Sequence, residues 1–281
     1  MAIHSHVQIP KVILKNFRDE SNLEKPVYYL DIHAGEIQEK PAKRLGTSKG
    51  YYSIEGENFW GQYIESPLGV LNKKIQDFYI GNSRVLTITK EDTILARNYI
   101  KAAASRSKSA ADIMQKTSYT AHLHTDQENH DALSFFGMDS EGEFDHLLQE
   151  YRLTVLINKS DRSFVVPQNC FYSVLSKSKI VLVAPISPKM ALLLLPAEYK
   201  VDTGETYGIV KDPENIETMN IAALRYEYQF KGTFVASNCY SELEMLQCYR
   251  TEYLEELINL MECHNTIEQR DPADEKNCES S

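Results

Sequence analysis

Residues 153–195 carry five apolar runs in close succession: Leu153-Thr-Val-Leu-Ile157, Ser163-Phe-Val-Val-Pro167, Phe171-Tyr-Ser-Val-Leu175, Ile180-Val-Leu-Val-Ala184 and Ala191-Leu-Leu-Leu-Leu195. Each is the length of a strand. The gaps between them are too short for parallel crossovers, which take about a dozen residues or more. The stretch therefore predicts a largely antiparallel sheet. Strands this apolar need cover on at least one face, and helical patterns on both sides of the stretch supply it.

Upstream, Phe59, Tyr63, Ile64, Leu68, Leu71 and Ile75 recur at three- and four-residue steps, as one buried helix face requires. Pro67 falls inside that pattern and predicts a kink or break after Ser66. Thr89-Lys-Glu-Asp92 reads as a helix cap; Ile94, Leu95, Tyr99 and Ile100 give the apolar face of a helix ending near Arg106. Pro10 to Asp19 fits a short first helix. Val27–Ile32 and Glu36–Lys40 alternate around His33–Gly35, a hairpin pattern. Downstream, Asp212-Pro213 opens a helix, Thr233–Ser237 is a last strand, and residues 241–262 form a final helix. Residues 118–142 are polar and read as a mobile loop. Residues 265–281 are polar and acidic and are expected to be disordered. The fold class is α+β. Residues 1–264 are expected to form a single composite domain, helix-rich over 1–150 and strand-rich over 151–237, with helices of the N-terminal half and the C-terminal helix packed on a central sheet.

The chain has 281 residues and a formal net charge of −10. That balance argues against a broad, non-specific nucleic-acid surface, which needs a positive excess, but leaves room for a local basic groove. No apolar run reaches the roughly 18 residues of a membrane span, so no membrane association is expected. The five cysteines are scattered, with no C-x-x-C pair. They suit reduced thiols in a cytoplasmic protein.

Several constellations carry possible chemistry. His122, His124, Asp126 and His130 form the densest set of metal ligands; on a strand the first three share a face and suit zinc or a similar divalent ion. The same pattern suits a solvated polar loop. Glu55 and Glu65, with Asp31, form an acidic set able to hold magnesium or share acid and base roles; surface salt bridges are the plainer alternative. Arg106 at a helix end complements the dipole or clamps a phosphate. Lys11, Lys15 and Arg18, with Tyr51, Tyr52 and Trp60, would add a basic-aromatic patch suited to single-stranded RNA or a nucleotide. Gln168 and Asn169 follow Pro167 at a strand end, where amides satisfy turn backbone or bind a ligand. Cys170 reads as a core thiol. There is no P-loop, G-x-G-x-x-G, G-x-S-x-G or H-E-x-x-H, which removes the commonest NTPase, dinucleotide-enzyme, serine-hydrolase and zinc-protease readings.

Ile9-Pro10 and Leu14-Lys15-Asn16-Phe17 resemble the pattern H-x-V-P-x-x-x-L-R-N-F of domain of unknown function 4238, a bacterial family. Tyr29, Asp31 and Gly35, then Tyr52-Ser53-Ile54-Glu55 and Tyr63-Ile64-Glu65, are similar to its next blocks. Ser105-Arg106-Ser107, Ser163-Phe164-Val165, Ile186-Ser187-Pro188 and Asn220 follow in the family's order. The likeness covers roughly residues 7 to 250. Val7 departs from the family's histidine, and Pro167-Gln168-Asn169-Cys170 from its S-D-x-P. Some relatives occur in anti-phage defence loci. The resemblance implies a defence effector acting on nucleic acid or a nucleotide, with Glu55, Glu65 and Arg106 as catalytic candidates and a divalent metal as the expected cofactor. Lys11, Asn16, Tyr52, Gln168, Asn169 and Asn220 are the binding candidates. The alternative is a non-enzymatic sensor of a phage or host protein.

Overall fold

The computed structural model describes residues 4–6, 9–22, 24–107, 109–110, 112, 125, 127–132, 143–176, 178–199 and 206–253. Asp31 shapes the N-terminal hairpin: its Oδ1 accepts from the His33 and Ala34 N–H groups at 2.9 Å. Gly35 takes φ +73°, a conformation glycine adopts without steric cost. The turn joins β2 (Pro26–Asp31) to β3 (Glu36–Pro41). A short ribbon pairs β1 (His4–His6) with β4 (Thr47–Lys49).

The apolar central runs become β5 (Tyr151–Asn158), β6 (Val166–Pro167), β7 (Tyr172–Ser176), β8 (Lys179–Ser187) and β9 (Met190–Pro196). β10 (Tyr207–Val210) falls where the sequence pattern suggests no strand, and β11 (Phe234–Ser237) is the expected last one. The α+β class holds, and the strands divide between two main sheets. One has the order β10-β5-β9-β8-β7, antiparallel except for β10 beside β5. The other, β3-β2-β11-β6, joins the hairpin to β11 and β6. Pro167 helps explain the division. It has no N–H to give a ladder, so β6 is two residues long and lies at a sheet edge.

The five-stranded sheet is covered on both faces, which is why its strands are apolar at nearly every position. Leu153, Val155 and Ile157 of β5, with Leu192 and Leu194 of β9, pack toward the N-terminal helices. Leu156, Ala191 and Leu195 point the other way. That second core is closed by Ile216, Ala223 and Leu224 of α6 (Pro213–Gln229) and by Leu243 and Leu246 of α7 (residues 240–253); α5 (Glu143–Gln149) lies between them and the earlier helices α1–α4 in the chain. The remainder of the expected final helix, and the tail at 265–281, lie outside the described residues.

The N-terminal helices are α1 (Lys11–Leu14), α2 (Ile54–Trp60), α3 (Ser66–Tyr79) and α4 (Lys90–Ser105). A 3-10 turn, Lys15–Phe17, continues α1. Thr89 and Asp92 form a reciprocal capping box on α4, as the pattern predicts. Pro67 breaks nothing: a π-helical turn, Gly61–Glu65, links α2 to α3 without interruption. The Ser66 N–H reaches the Gly61 carbonyl, and its Oγ donates to the same oxygen at 2.8 Å. The widened turn leaves Pro67 in the first turn of α3, where its missing N–H costs little.

Asn220 of α6 clamps the chain leading into β6. Its Oδ1 accepts from Val165 N–H at 3.0 Å, and its Nδ2 donates to the Ser163 carbonyl at 2.9 Å. All three residues are buried. Asn220→Ala leaves two buried backbone groups unpaired, a loss of about 3 kcal/mol. The expected result in urea unfolding is a lower midpoint with an unchanged slope.

Candidate functional site

The site grows from the start of α2. Ser53 caps this helix: its Oγ accepts from Gly56 N–H at 3.0 Å. The Ser53 N–H in turn donates to the Asp131 carboxylate at 3.2 and 3.3 Å. The Asp131 carboxylate packs directly over Gly56: a Cβ there would stand 2.2 Å from Asp131 Oδ1 and would require that side chain to move. Residues 127–132 are helical, and His130 stacks on Tyr51 with ring centroids 3.7 Å apart. The described part of the expected mobile loop is therefore anchored on α2.

Arg106 follows the end of α4, where helix carbonyls favour a cation. Its side chain is drawn inward instead of into solvent and is 3% exposed. The guanidinium carbon lies 3.7 Å from the Trp60 ring centroid and 4.2 Å from that of Tyr52. Arg106 Nε donates to the Tyr52 hydroxyl at 2.5 Å. Two ring faces thus hold a cation by the attraction of π-systems for positive charge.

Glu65, the last residue of the π turn, sits beside this cation. Burial pushes its carboxyl above the usual range; the Arg106 guanidinium pulls it down, and the Glu57 carboxylate adds to the rise. The Lys11 backbone and the Trp60 indole add smaller pulls downward, although the Trp60 Nε1 makes no hydrogen bond among the described residues. Glu57 Oε1 is buried with no hydrogen-bond partner among the described residues. Two carboxylates and one guanidinium therefore form a largely desolvated cluster.

The polar seam continues into the sheet side. Tyr99 and Cys170, both fully buried, lie within reach of the Arg106 charge; burial pushes the thiol up to about 12 and the Tyr99 hydroxyl well up. A thiol of this kind stays protonated, so Cys170 is a core residue, as its sequence context suggests. Its φ of +69° turns the chain after Asn169. The Asn169 N–H donates to Glu227 Oε1 at 2.8 Å and its Nδ2 to Oε2 at 3.0 Å. Glu227 is fully buried, and burial raises its carboxyl to about 8 against those two donors.

Of the candidate catalytic residues, Glu65 and Arg106 meet. Glu55 is exposed, about 200° around α2 from Glu57, so Glu57 takes the place expected of it. Tyr52 stacks on Arg106, and Lys11 supplies its backbone to Glu65. Asn16 works as a tie, with Nδ2 donating to the Ile186 carbonyl at 2.7 Å; this joins the first family-like block to a late one. Gln168 Oε1 accepts from Thr233 N–H and Oγ1 at 2.6 and 2.7 Å. Asn220 is the clamp described above. His122, His124 and Asp126 lie outside the described residues, while His130 is on a helix and stacked. Among the described residues, no group of three or more His, Cys, Asp or Glu could hold a metal ion.

Residues 6–243 match the family described as a protein of unknown function, DUF4238. The chain belongs to that family. Comparison with curated proteins and with solved structures gives no match. Some family-like blocks converge in space: Tyr52, Glu65 and Arg106 form one buried cluster, while Asn16 ties the first block to Ile186 and Asn220 ties α6 to Ser163 and Val165.

Glu227 makes the site sensitive to pH. Its folded-state value lies above that of an unfolded glutamate, so the folded chain keeps a proton that the unfolded chain releases. Stability contributed below the ordinary carboxylate range is lost as pH rises toward about 8, a change on the order of 4 kcal/mol. Thermal melts from pH 5 to 9 are expected to show this decline. In Glu227→Gln the decline is expected to flatten.

Proposed function

We propose that the chain acts on a phosphate ester of a nucleic acid or nucleotide, with Glu65 and Glu57 exchanging protons beside Arg106. The observation that carries this reading is the meeting of two carboxylates with a guanidinium fixed between aromatic rings. A carboxyl raised by burial holds a proton closer to neutrality and can serve as an acid. In the hydrolysis proposed, Glu57 takes a proton from the attacking water. The new P–O bond forms as the bond to the leaving oxygen breaks, and Glu65 protonates that oxygen. Arg106 supplies a permanent positive charge for the phosphoryl oxygens. The likeness to relatives in defence loci supports placing this activity in resistance to phage.

Purified protein incubated with RNA, single-stranded DNA and nucleoside triphosphates, with magnesium, manganese or a chelator, tests the proposal. Cleavage is expected for one substrate class. Glu65→Gln is expected to lower the rate about 100-fold or more, the scale of general acid–base catalysis, while melting stays near wild type. A rate unaffected by Glu65→Gln refutes the assignment.

A sensor is the second reading, favoured by one surface feature. Leu175 and Ile180 are cross-strand partners at the β7–β8 hairpin and are 77% and 49% exposed. An apolar pair on an edge strand is a contact point for another chain. Stable association with a phage protein that is abolished by Leu175→Glu and indifferent to Glu65→Gln would favour this reading.

A further inference from the structure

One cleft concentrates positive charge on a chain whose net charge is −10. Lys11, Lys15, Arg18, Lys25 and Lys43 line a cavity of about 460 Å³, with Glu24 as its one acidic lining residue. The cations come from three segments: α1 with its 3-10 extension, the loop before β2, and the turn after β3. Lys11 and Lys15 are four residues apart, on one helical face, where like charges repel. Arg18 is held in place by its Nε, which donates to the Lys15 carbonyl at 2.8 Å. Lys25 stands at φ +47°, a left-handed conformation that non-glycine residues enter only at a steric cost. Lys11, Lys15, Lys25 and Lys43 make no ion pair among the described residues. Such repulsion is relieved when a polyanion displaces the surrounding counterions.

We infer that this cleft binds the phosphate backbone of a single nucleic-acid strand. Its remaining lining residues are Pro41 and Ala42. Among the described residues no aromatic ring lines it, so the contact is to the backbone and carries no base stacking. Charges spread over three segments suit successive phosphates better than the compact tail of one nucleotide. Lys11 links the two places: its side chain lines the cleft, and its backbone is one of the groups that lower the Glu65 carboxyl. The cleft is thus the strand-binding surface beside the Glu65–Arg106 cluster in this reading. This assigns a substrate class to the proposed chemistry and rests on it for the reaction, though not for the binding.

Fluorescence anisotropy tests the inference with labelled 20-nucleotide RNA and DNA strands of mixed sequence, ATP, inorganic triphosphate and polyglutamate as competitors, and a series of salt concentrations. Strand binding is expected to be indifferent to base sequence. It is expected to weaken with salt by about 0.7 logarithmic unit per phosphate contact. Lys15→Ala with Lys43→Ala should weaken binding about tenfold and flatten the salt slope by about 1.4. Lys211→Ala, outside the cleft, should change neither. The relative affinities for RNA and DNA decide which strand is bound. Absence of strand binding at low salt, tighter binding of ATP, equal competition by polyglutamate, or insensitivity to the cleft variants would each overturn it. Turnover of nucleotides without strand binding removes the cleft and spares the acid–base chemistry. Strand binding without turnover removes that chemistry and spares the cleft.

Discussion

A guanidinium that is 3% exposed has to be compensated where it lies, and the arrangement around Arg106 follows from that need. Desolvating an ion costs several kcal/mol even after the protein relaxes. Two stretches of chain meet to offset it. The first runs without a break from the Tyr52 turn through α2 to the π turn and gives the ring faces of Tyr52 and Trp60 and the Glu65 carboxylate. The second is the end of α4, which carries Arg106 and adds its carbonyl dipole. The buried charge thus fixes the positions of the N-terminal helices relative to one another, in addition to the packing of their apolar faces.

The π turn is the local device that makes this possible. In an unbroken α-helix Glu57 and Glu65 would be separated by about 80° around the axis, at about 100° per residue. One extra residue in the widened turn brings them to within about 20° of one face. The same insertion carries Pro67 into the first turn of α3. A single irregularity therefore absorbs the proline and pairs the two acids. π turns often occur at functional positions, and this one ends on the residue whose carboxyl is most affected by Arg106.

Features set by neighbouring residues were legible. Thr89-Lys-Glu-Asp92 announces a helix cap, Asp212-Pro213 announces α6, and the apolarity of β5, β8 and β9 announces strands that need cover on at least one face. Glu65, Arg106 and Tyr52 could be singled out as residue types suited to phosphate chemistry. What depended on long-range geometry was not legible. The ending Val165-Val166-Pro167 does not reveal which sheet a two-residue strand will join. Glu57 went unnoticed because helical periodicity sets it apart from Glu65 unless the π turn is known. The cations of the basic cleft come from three segments (11–18, 25 and 43), and only the first is a visible cluster in the sequence.

Three buried or partly buried acids show how the partner decides the role. Glu242 accepts from the Ser163 N–H at 3.1 Å and faces Arg162 at 3.4 Å, so a formal cation and a backbone donor secure it as part of the clamp. Glu65 has a cation too, but shares it with Glu57 and with the aromatic cage. Glu227 has only the neutral donors of Asn169, and its carboxyl is the one raised furthest. The space around it is closed: a Cβ at Gly232 would stand 1.3 Å from Glu227 Oε2. The departure at Pro167-Gln168-Asn169-Cys170 divides its two amides between two tasks. Gln168, which stands where the family has aspartate, accepts from the Thr233 N–H and hydroxyl, while Asn169 gives the two neutral donors that hold the Glu227 carboxyl without adding a second charge beside it.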